Sequence, residues 1–148
     1  MSESRHVFVY GLLTFADITS AITGKQFQTQ PALLRDHRRY GLSSSPLAAA
    51  VPILVEEQGA ITEGMLLCDV TAEDLAKLDV FEEIDSGHYL RKTVRVESDG
   101  QWYSAEVYLA GPVLRPYAYG EWLPVQVTDA QRQHFITTVI PEMLKLER

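Results

Sequence analysis

A single cysteine, three methionines and two tryptophans stand in a chain of 148 residues. Cys68 has no second thiol to pair with, so no internal disulfide framework holds the fold. Within the alternating run MLLCDV it reads as a buried bystander, since a thiol without a basic neighbour is seldom a nucleophile. Positive charge is scarce as well: 13 Lys and Arg face 20 Asp and Glu, a formal net charge of −7, and the densest basic cluster is the short RDHRR at 35–39. Phosphate-backbone binding needs a basic face, so nucleic acid is not expected as a partner. No stretch approaches the roughly 20 apolar residues of a membrane span. The opening MSESRHVFVYG has too short an apolar run for a signal peptide, so a cytosolic protein away from the membrane is expected. Internal repeats and low-complexity linkers are missing. The four histidines, His6, His37, His88 and His134, show no metal-ligand spacing, and neither a metal nor another cofactor is expected. Ser43 to Ser45 lack the glycine-flanked elbow of a serine hydrolase.

What is present suits one domain over residues 1–148 with a real core, at 46% hydrophobic. A β-branched and aromatic strand over 6–10 (HVFVY) stops at Gly11. A helix should follow through Ala21, capped by Thr14 or Asp17 and ended by Gly24. A strand running through glycine into a helix leaves amide N–H groups pointing free, a cradle for anions, although the same pattern serves merely to turn a corner. Strand pieces are predicted over 32–37 and 38–42, then a loop over 42–50. An antiparallel pair over 51–56 and 60–70 is expected next, joined by a turn at Gln58 and Gly59, with Pro52 near a strand end and Gly64 as a candidate bulge.

Asp99-Gly100 is a favoured two-residue hairpin turn between strands over 89–97 and 101–110. On the first of these, Tyr89, Arg91, Thr93 and Arg95 share one face, and Leu90, Val94 and Val96 share the other. The Pro- and aromatic-rich stretch 111–124 reads as an irregular surface segment, a packed loop or a lid. A C-terminal helical segment spans about 128–146, opened by the capping pair Thr128 and Gln131 and kinked or split at Pro141. Phe135, Val139, Met143 and Leu146 line its apolar face. The sum is an α+β domain: a small mixed, mostly antiparallel sheet of about six strands, curled toward a barrel, with helices at the start, middle and end.

The segment TAEDLAKLDVFEE carries the chemistry. Thr71 with Asp74 makes a capping box, and Glu73 and Asp74 sit in the first turn where the dipole favours negative charge, so a helix from about Ala72 to Glu82 is predicted. On a wheel of about 100° per residue Glu82 projects between Leu75 and Leu78, on the apolar side. Either the helix frays and Glu82 turns to solvent, or a partly desolvated carboxyl with a raised pKa has been placed there, as a general acid/base requires.

VFVYGLL at 7–13, LDVFEE at 78–83 and YLRKTVRV at 89–96, in this order and spacing, resemble the γ-glutamylcyclotransferase-like superfamily, in particular its AIG2-like branch. The resemblance implies that superfamily's small barrel with flanking helices. It also implies a cyclotransferase converting a γ-glutamyl amine, amino acid or peptide to 5-oxoproline and a free amine, with Glu82 as the general acid/base. It further implies a substrate cradle in which Tyr10, Gly11, Leu12 and Leu13 supply the loop and Tyr89 lines the pocket. Many relatives carry Thr or Ser after the glycine, whereas Leu12 stands here, so a hydroxyl contact is lost while a backbone contact survives. Arg91 follows Tyr89 on the same face and is equally suited to pairing with Glu83 or Asp79. His88 is close enough in sequence to pair with Glu82. Two further readings are a non-catalytic small-molecule-binding or regulatory protein of the same fold, and an interaction domain using the aromatic segment 117–122.

Overall fold

A computed structural model describes residues 4–42 and 51–145. The loop expected after Leu42, Ser43 to Ser45 with it, and Leu146 lie outside the described residues.

Six strands form one sheet: β1 (Ser4–Val9), β2 (Thr29–Leu42), β3 (Ile53–Thr71), β4 (Tyr89–Ser98), β5 (Gln101–Ala110) and the short β6 (Ala118–Tyr119). Their order is β3-β1-β5-β4-β2-β6, and β2 also pairs with β3, so the first five strands close into a ring with β6 appended. Every pairing is antiparallel except β1 with β5. The α+β barrel read from the sequence is therefore the architecture observed.

Alternation along the strands builds two main cores, beside a smaller cluster of Leu42, Ile53 and Ala110. Phe8 on β1 and Tyr10 just after it point into the ring with Leu34, Leu54, Leu66, Val96 and Val107, while Val7 and Val9 face outward against the helices with Leu67 and Val70. Both faces of this strand are covered, which is why VFV reads as a continuous apolar run. Gly64 is not a bulge; a Cβ there would lie 2.3 Å from the Val9 carbonyl oxygen and 2.7 Å from the Phe8 ring, so glycine permits the strands to close over Phe8. The bulge against β1 lies at Cys68–Asp69 opposite His6, with Asp69 at φ 58°.

One topological expectation is overturned. Residues 51–56 and 60–70 do not fold back on each other; from Ile53 they belong to one 19-residue strand, β3, that pairs antiparallel with β2 from Ile53 to Leu67. Gln58 and Gly59 form a corner in this ribbon, where residues 57–60 oppose Asp36 alone. Gly59 takes φ 86° and Asp36 φ 60°, and the Asp36 carboxylate accepts the Gly59 N–H at 2.9 Å. The same corner explains why β2 reads as two pieces in the sequence. The hairpin at Asp99 and Gly100 forms as expected, with Ser98 paired to Gln101 and both turn residues at positive φ. Leu90 departs from its expected face role: it is 41% exposed and feeds neither core.

Helix α1 (Ala16–Thr23) follows a single 3₁₀ turn, Leu12–Thr14. Neither Thr14 nor Asp17 caps α1, whose N-cap is Phe15; Thr14 Oγ1 instead donates to the Gly11 carbonyl at 2.6 Å. The helix runs past Ala21 to Thr23, and Gly24 ends it at φ 76°. Helix α2 (Ala72–Phe81) has the predicted Thr71–Asp74 capping box. The segment after β5 is not irregular throughout: a 3₁₀ turn (Arg115–Tyr117) leads into β6, which pairs with Gly41 and Leu42. The C-terminal helix is α3 (Asp129–His134), a π turn (Phe135–Val139) and α4 (Ile140–Lys145), with Thr128 and Gln131 capping it as expected. Pro141, which has no N–H to give, does not split it; the wide turn just ahead, where the Ile140 N–H reaches the Phe135 carbonyl, absorbs the defect. Arg132 anchors this helix to α1 through Asp17 at 3.1 Å and lies over the Phe15 ring.

Among the described residues no helix is long and apolar enough to cross a membrane, and no group of three or more His, Cys, Asp or Glu could hold a metal ion.

Candidate active site

The site begins with how α2 ends. Glu82 is the C-cap, its N–H donating to the Leu78 carbonyl at 2.9 Å. The next residue, Glu83, takes the left-handed conformation at φ 52°. Its N–H bonds the Val80 carbonyl at 3.0 Å, and Ile84 N–H reaches back to the Asp79 carbonyl at 3.3 Å. These two bonds form a Schellman closure, normally built on glycine. The helix therefore does not fray at its end: it is locked, and Glu82 is fixed against the body of the protein.

Glu82 borders a cavity of about 330 Å³. Tyr10, Gly11, Leu12, Leu13 and Tyr89 border the same cavity, so the structure brings together all six residues singled out from the sequence. Among the described residues the Glu82 carboxyl has neither a hydrogen-bond nor an ion-pair partner. Burial, then the neighbouring Glu83 and Asp79 charges, raise its pKa to about 8. Glu82 is partly buried and keeps some exposure through the cavity mouth.

The glycine turn borders the same cavity. Gly11 packs so tightly on Pro52 that a Cβ would fall 2.6 Å from the proline Cγ. The chain then winds into the 3₁₀ turn, whose closing bonds are donated by Thr14 and Phe15 to the Gly11 and Leu12 carbonyls. The Leu12 and Leu13 amides stand at the start of this turn, and among the described residues no acceptor takes them.

The three tyrosines of the cavity are committed elsewhere. Tyr10 Oη donates to the Tyr108 carbonyl, Tyr89 Oη to the Pro52 carbonyl at 2.7 Å, and Tyr108 Oη to Asp79 Oδ1 at 2.7 Å. Burial pushes all three phenols above their ordinary range. They present ring walls and lone pairs to the cavity, not free protons.

Arg91 does not reach the cavity. It pairs with Asp79 at 3.2 Å, one of the two partners expected for it, and with Glu106 at 3.2 Å; Glu83 is not a partner. Glu106 is nearly fully buried, at 4% exposed, and also accepts from Arg5 and from Thr93 Oγ1. His88 borders the cavity but lies by Glu83 at 3.6 Å and bonds Ser86 at 2.8 Å, not Glu82.

Sequence reasoning missed Tyr108 and Phe8, and it assigned the apolar face of the C-terminal helix to packing alone. Tyr108 was within reach: the Asp99-Gly100 hairpin register sets it directly opposite Arg91, on the Tyr89 face. Phe135, Val139 and Met143 border the cavity, and Phe135 meets Phe81 edge-on with centroids 6.1 Å apart. The aromatic segment after β5 contributes Leu114 to the lining; Trp122 is buried, whereas Tyr119 is 71% exposed.

The family model described as "Gamma-glutamyl cyclotransferase, AIG2-like" matches residues 7–124. Protein AIG2 C of Arabidopsis thaliana is 28% identical over 120 residues, 81% of this chain and 70% of its own. The solution structure of another Arabidopsis thaliana protein superposes with a TM-score of 0.67 at 26% identity, covering 99% of this chain and 87% of that one. A structure titled gamma-glutamyl cyclotransferase gives a TM-score of 0.63 at 21% identity, over 73% of this chain and 67% of that one, a likeness of fold.

Proposed function

Since the chain belongs to the gamma-glutamyl cyclotransferase, AIG2-like family, we propose that it closes γ-glutamyl amides to 5-oxoproline with Glu82 as the proton-transferring group. The observation that carries this reading is the Glu82 carboxyl, proton-retaining and without a partner among the described residues, on the wall of a cavity that the Gly11 turn also borders, where the Leu12 and Leu13 amides are taken by no acceptor among the described residues.

The substrate supplies its own nucleophile. Its α-amine nitrogen attacks the γ-carbonyl carbon, the new C–N bond closes a five-membered ring, and the C–N bond to the departing amine breaks. Nothing is oxidised or reduced. Holding the amine against the carbonyl supplies proximity worth an effective molarity of about 10⁵–10⁸ M, so no covalent enzyme intermediate is needed. The proton is the remaining task. With a pKa of about 8, Glu82 is mostly neutral at pH 7 in the empty cavity. The incoming α-ammonium favours its ionised form. The carboxylate then accepts one ammonium proton, freeing the amine to attack, and returns it to the leaving nitrogen; the second proton, shed by the ring nitrogen as the intermediate collapses, passes by the same carboxylate to the departing amine, which leaves as its ammonium ion. The Leu12 and Leu13 amides hold the α-carboxylate or the oxyanion that develops on the γ-carbonyl. Tyr10 and Tyr89 shape the pocket as walls.

The test is 5-oxoproline release from a panel of γ-glutamyl compounds by the native protein and by Glu82→Gln, which keeps size and removes the titrating group. Release should fall at least about a hundredfold in the variant, the scale of lost general acid/base catalysis. Turnover that survives the substitution removes Glu82 from the mechanism.

A further inference from the structure

The ladder between β1 and β3 ends with Val9 opposite Met65, so the next carbonyl, that of Tyr10, lies just beyond it. Arg39 on β2 takes that carbonyl: its Nη1 donates to Tyr10 O at 2.8 Å and to Glu63 O at 3.2 Å. Each carbonyl precedes a glycine at a close approach, Gly11 against Pro52 and Gly64 against Val9, so one guanidinium ties both. The group is partly buried, lies over the Trp122 ring 5.7 Å from its centroid, and its Nε has no hydrogen-bond partner among the described residues. Burial lowers its pKa, yet a guanidinium stays charged at neutral pH.

A carbonyl and the N–H of the next residue share one rigid peptide plane. A charged donor on the Tyr10 carbonyl therefore fixes the direction of the Gly11 N–H, and it draws electron density from that N–H, which then donates more strongly. Among the described residues no acceptor takes the Gly11 amide or the Leu12 and Leu13 amides after it, and all three residues border the cavity. Arg39 does not border it. A neutral donor would be enough to satisfy the Tyr10 carbonyl. Bringing a cation partly out of water and leaving its Nε unbonded is an expensive way to do the same, unless the charge itself is used.

Building on the cyclotransferase reading, we propose that Arg39 is a positioning residue: without touching substrate, it orients and polarises the Tyr10–Gly11 peptide so that the Gly11 N–H stabilises the oxyanion that develops on the γ-carbonyl. An interaction that strengthens only as that charge develops shows in kcat and not in KM.

Arg39→Met keeps an aliphatic stem over Trp122 and removes the charge, and Arg39→Lys keeps a cation. Each is compared with the native protein, well below the melting temperature of the variant, for 5-oxoproline release from a γ-glutamyl compound that the native protein turns over. The amide nitrogen chemical shift of Gly11 is read alongside, because it reports the bond made by the preceding carbonyl. In Arg39→Met kcat is expected to fall about tenfold, less than for the outright loss of an oxyanion donor, with KM changed less than about twofold. The Gly11 resonance should move upfield, the limb of the pH–rate profile that belongs to Glu82 should stay in place, and Arg39→Lys should recover most of the loss. In either variant, a kcat that falls with the Gly11 shift in place, or a displaced shift with native kcat, overturns the role given to Arg39 and leaves the cyclotransferase reading standing. Native kcat together with a native shift in folded Arg39→Met does the same, as does an equal fall in Arg38→Met, whose guanidinium pairs with the exposed Glu57. Absence of release by the native protein from the whole γ-glutamyl panel overturns the reading beneath it, and the role of Arg39 with it.

Discussion

Glu82 holds its proton to about pH 8 because burial penalises the charged form and the Glu83 and Asp79 charges add to that penalty. An unfolded chain releases that proton near pH 4.3. Between these values the folded state binds the extra proton, so stability from this group is complete at low pH and declines as pH rises toward 8. Glutamine has no such dependence. Glu82→Gln is therefore expected to stabilise the fold progressively from pH 5 to pH 8.5, by about 2 kcal/mol at the upper end once access through the cavity mouth is allowed for. Thermal melts of both proteins across that range measure it; a difference that stays flat with pH would show that Glu82 titrates normally. The wheel placed this residue among leucines from sequence alone, because helical periodicity is a local property. The locked closure at Glu83 was not legible, since left-handed glutamate leaves no signature that distinguishes it from a frayed end.

At the scale of elements, α2 is joined to the β4–β5 hairpin by charges rather than by packing alone. Arg91 lies between Asp79 on the helix and the buried Glu106 on β5, and Tyr108 donates to the same Asp79. Arg91→Met keeps the aliphatic stem but takes one cation from two carboxylates, leaving Glu106 with Arg5 and Thr93 and Asp79 with Tyr108, which should cost about 1–2 kcal/mol in chemical denaturation, less than a fully buried pair because Arg91 is partly exposed. A loss below about 0.5 kcal/mol would mean that solvent screens this network. The elements best read from sequence are those whose signals are self-contained: the Thr71–Asp74 box, the Thr128–Gln131 box and the Asp99-Gly100 turn all form as expected. The long strand β3 was misread for the opposite reason. Gln58-Gly59 carries ordinary turn chemistry, and whether such a turn reverses the chain or only bends it is decided by β2, where Asp36 supplies the acceptor.

For the whole molecule, ring closure depends on how closely β1 and β3 approach. The Gly64 Cα faces the Val9 carbonyl and the Phe8 ring at distances that leave no room for a methyl group. Gly64→Ala should lower the urea midpoint by the equivalent of at least about 2 kcal/mol, since neither a backbone carbonyl nor a fully buried ring can shift cheaply. An unchanged midpoint would mean that the barrel breathes enough to accept the side chain. The cavity itself was legible only in halves, because the turn at Gly11, the end of α2 and the final helix, far apart in the chain, come together only around it.

The final helix lies beyond residue 124, where the family match ends, yet Phe135, Val139 and Met143 reach the cavity from it. On the proposed reading, the group that moves the proton lies within the matched length while part of the cavity wall lies outside it. Exchange of the last helix alone is then expected to reshape the cavity while leaving Glu82 and the Gly11 turn in place, a modular route by which one scaffold can acquire new clients.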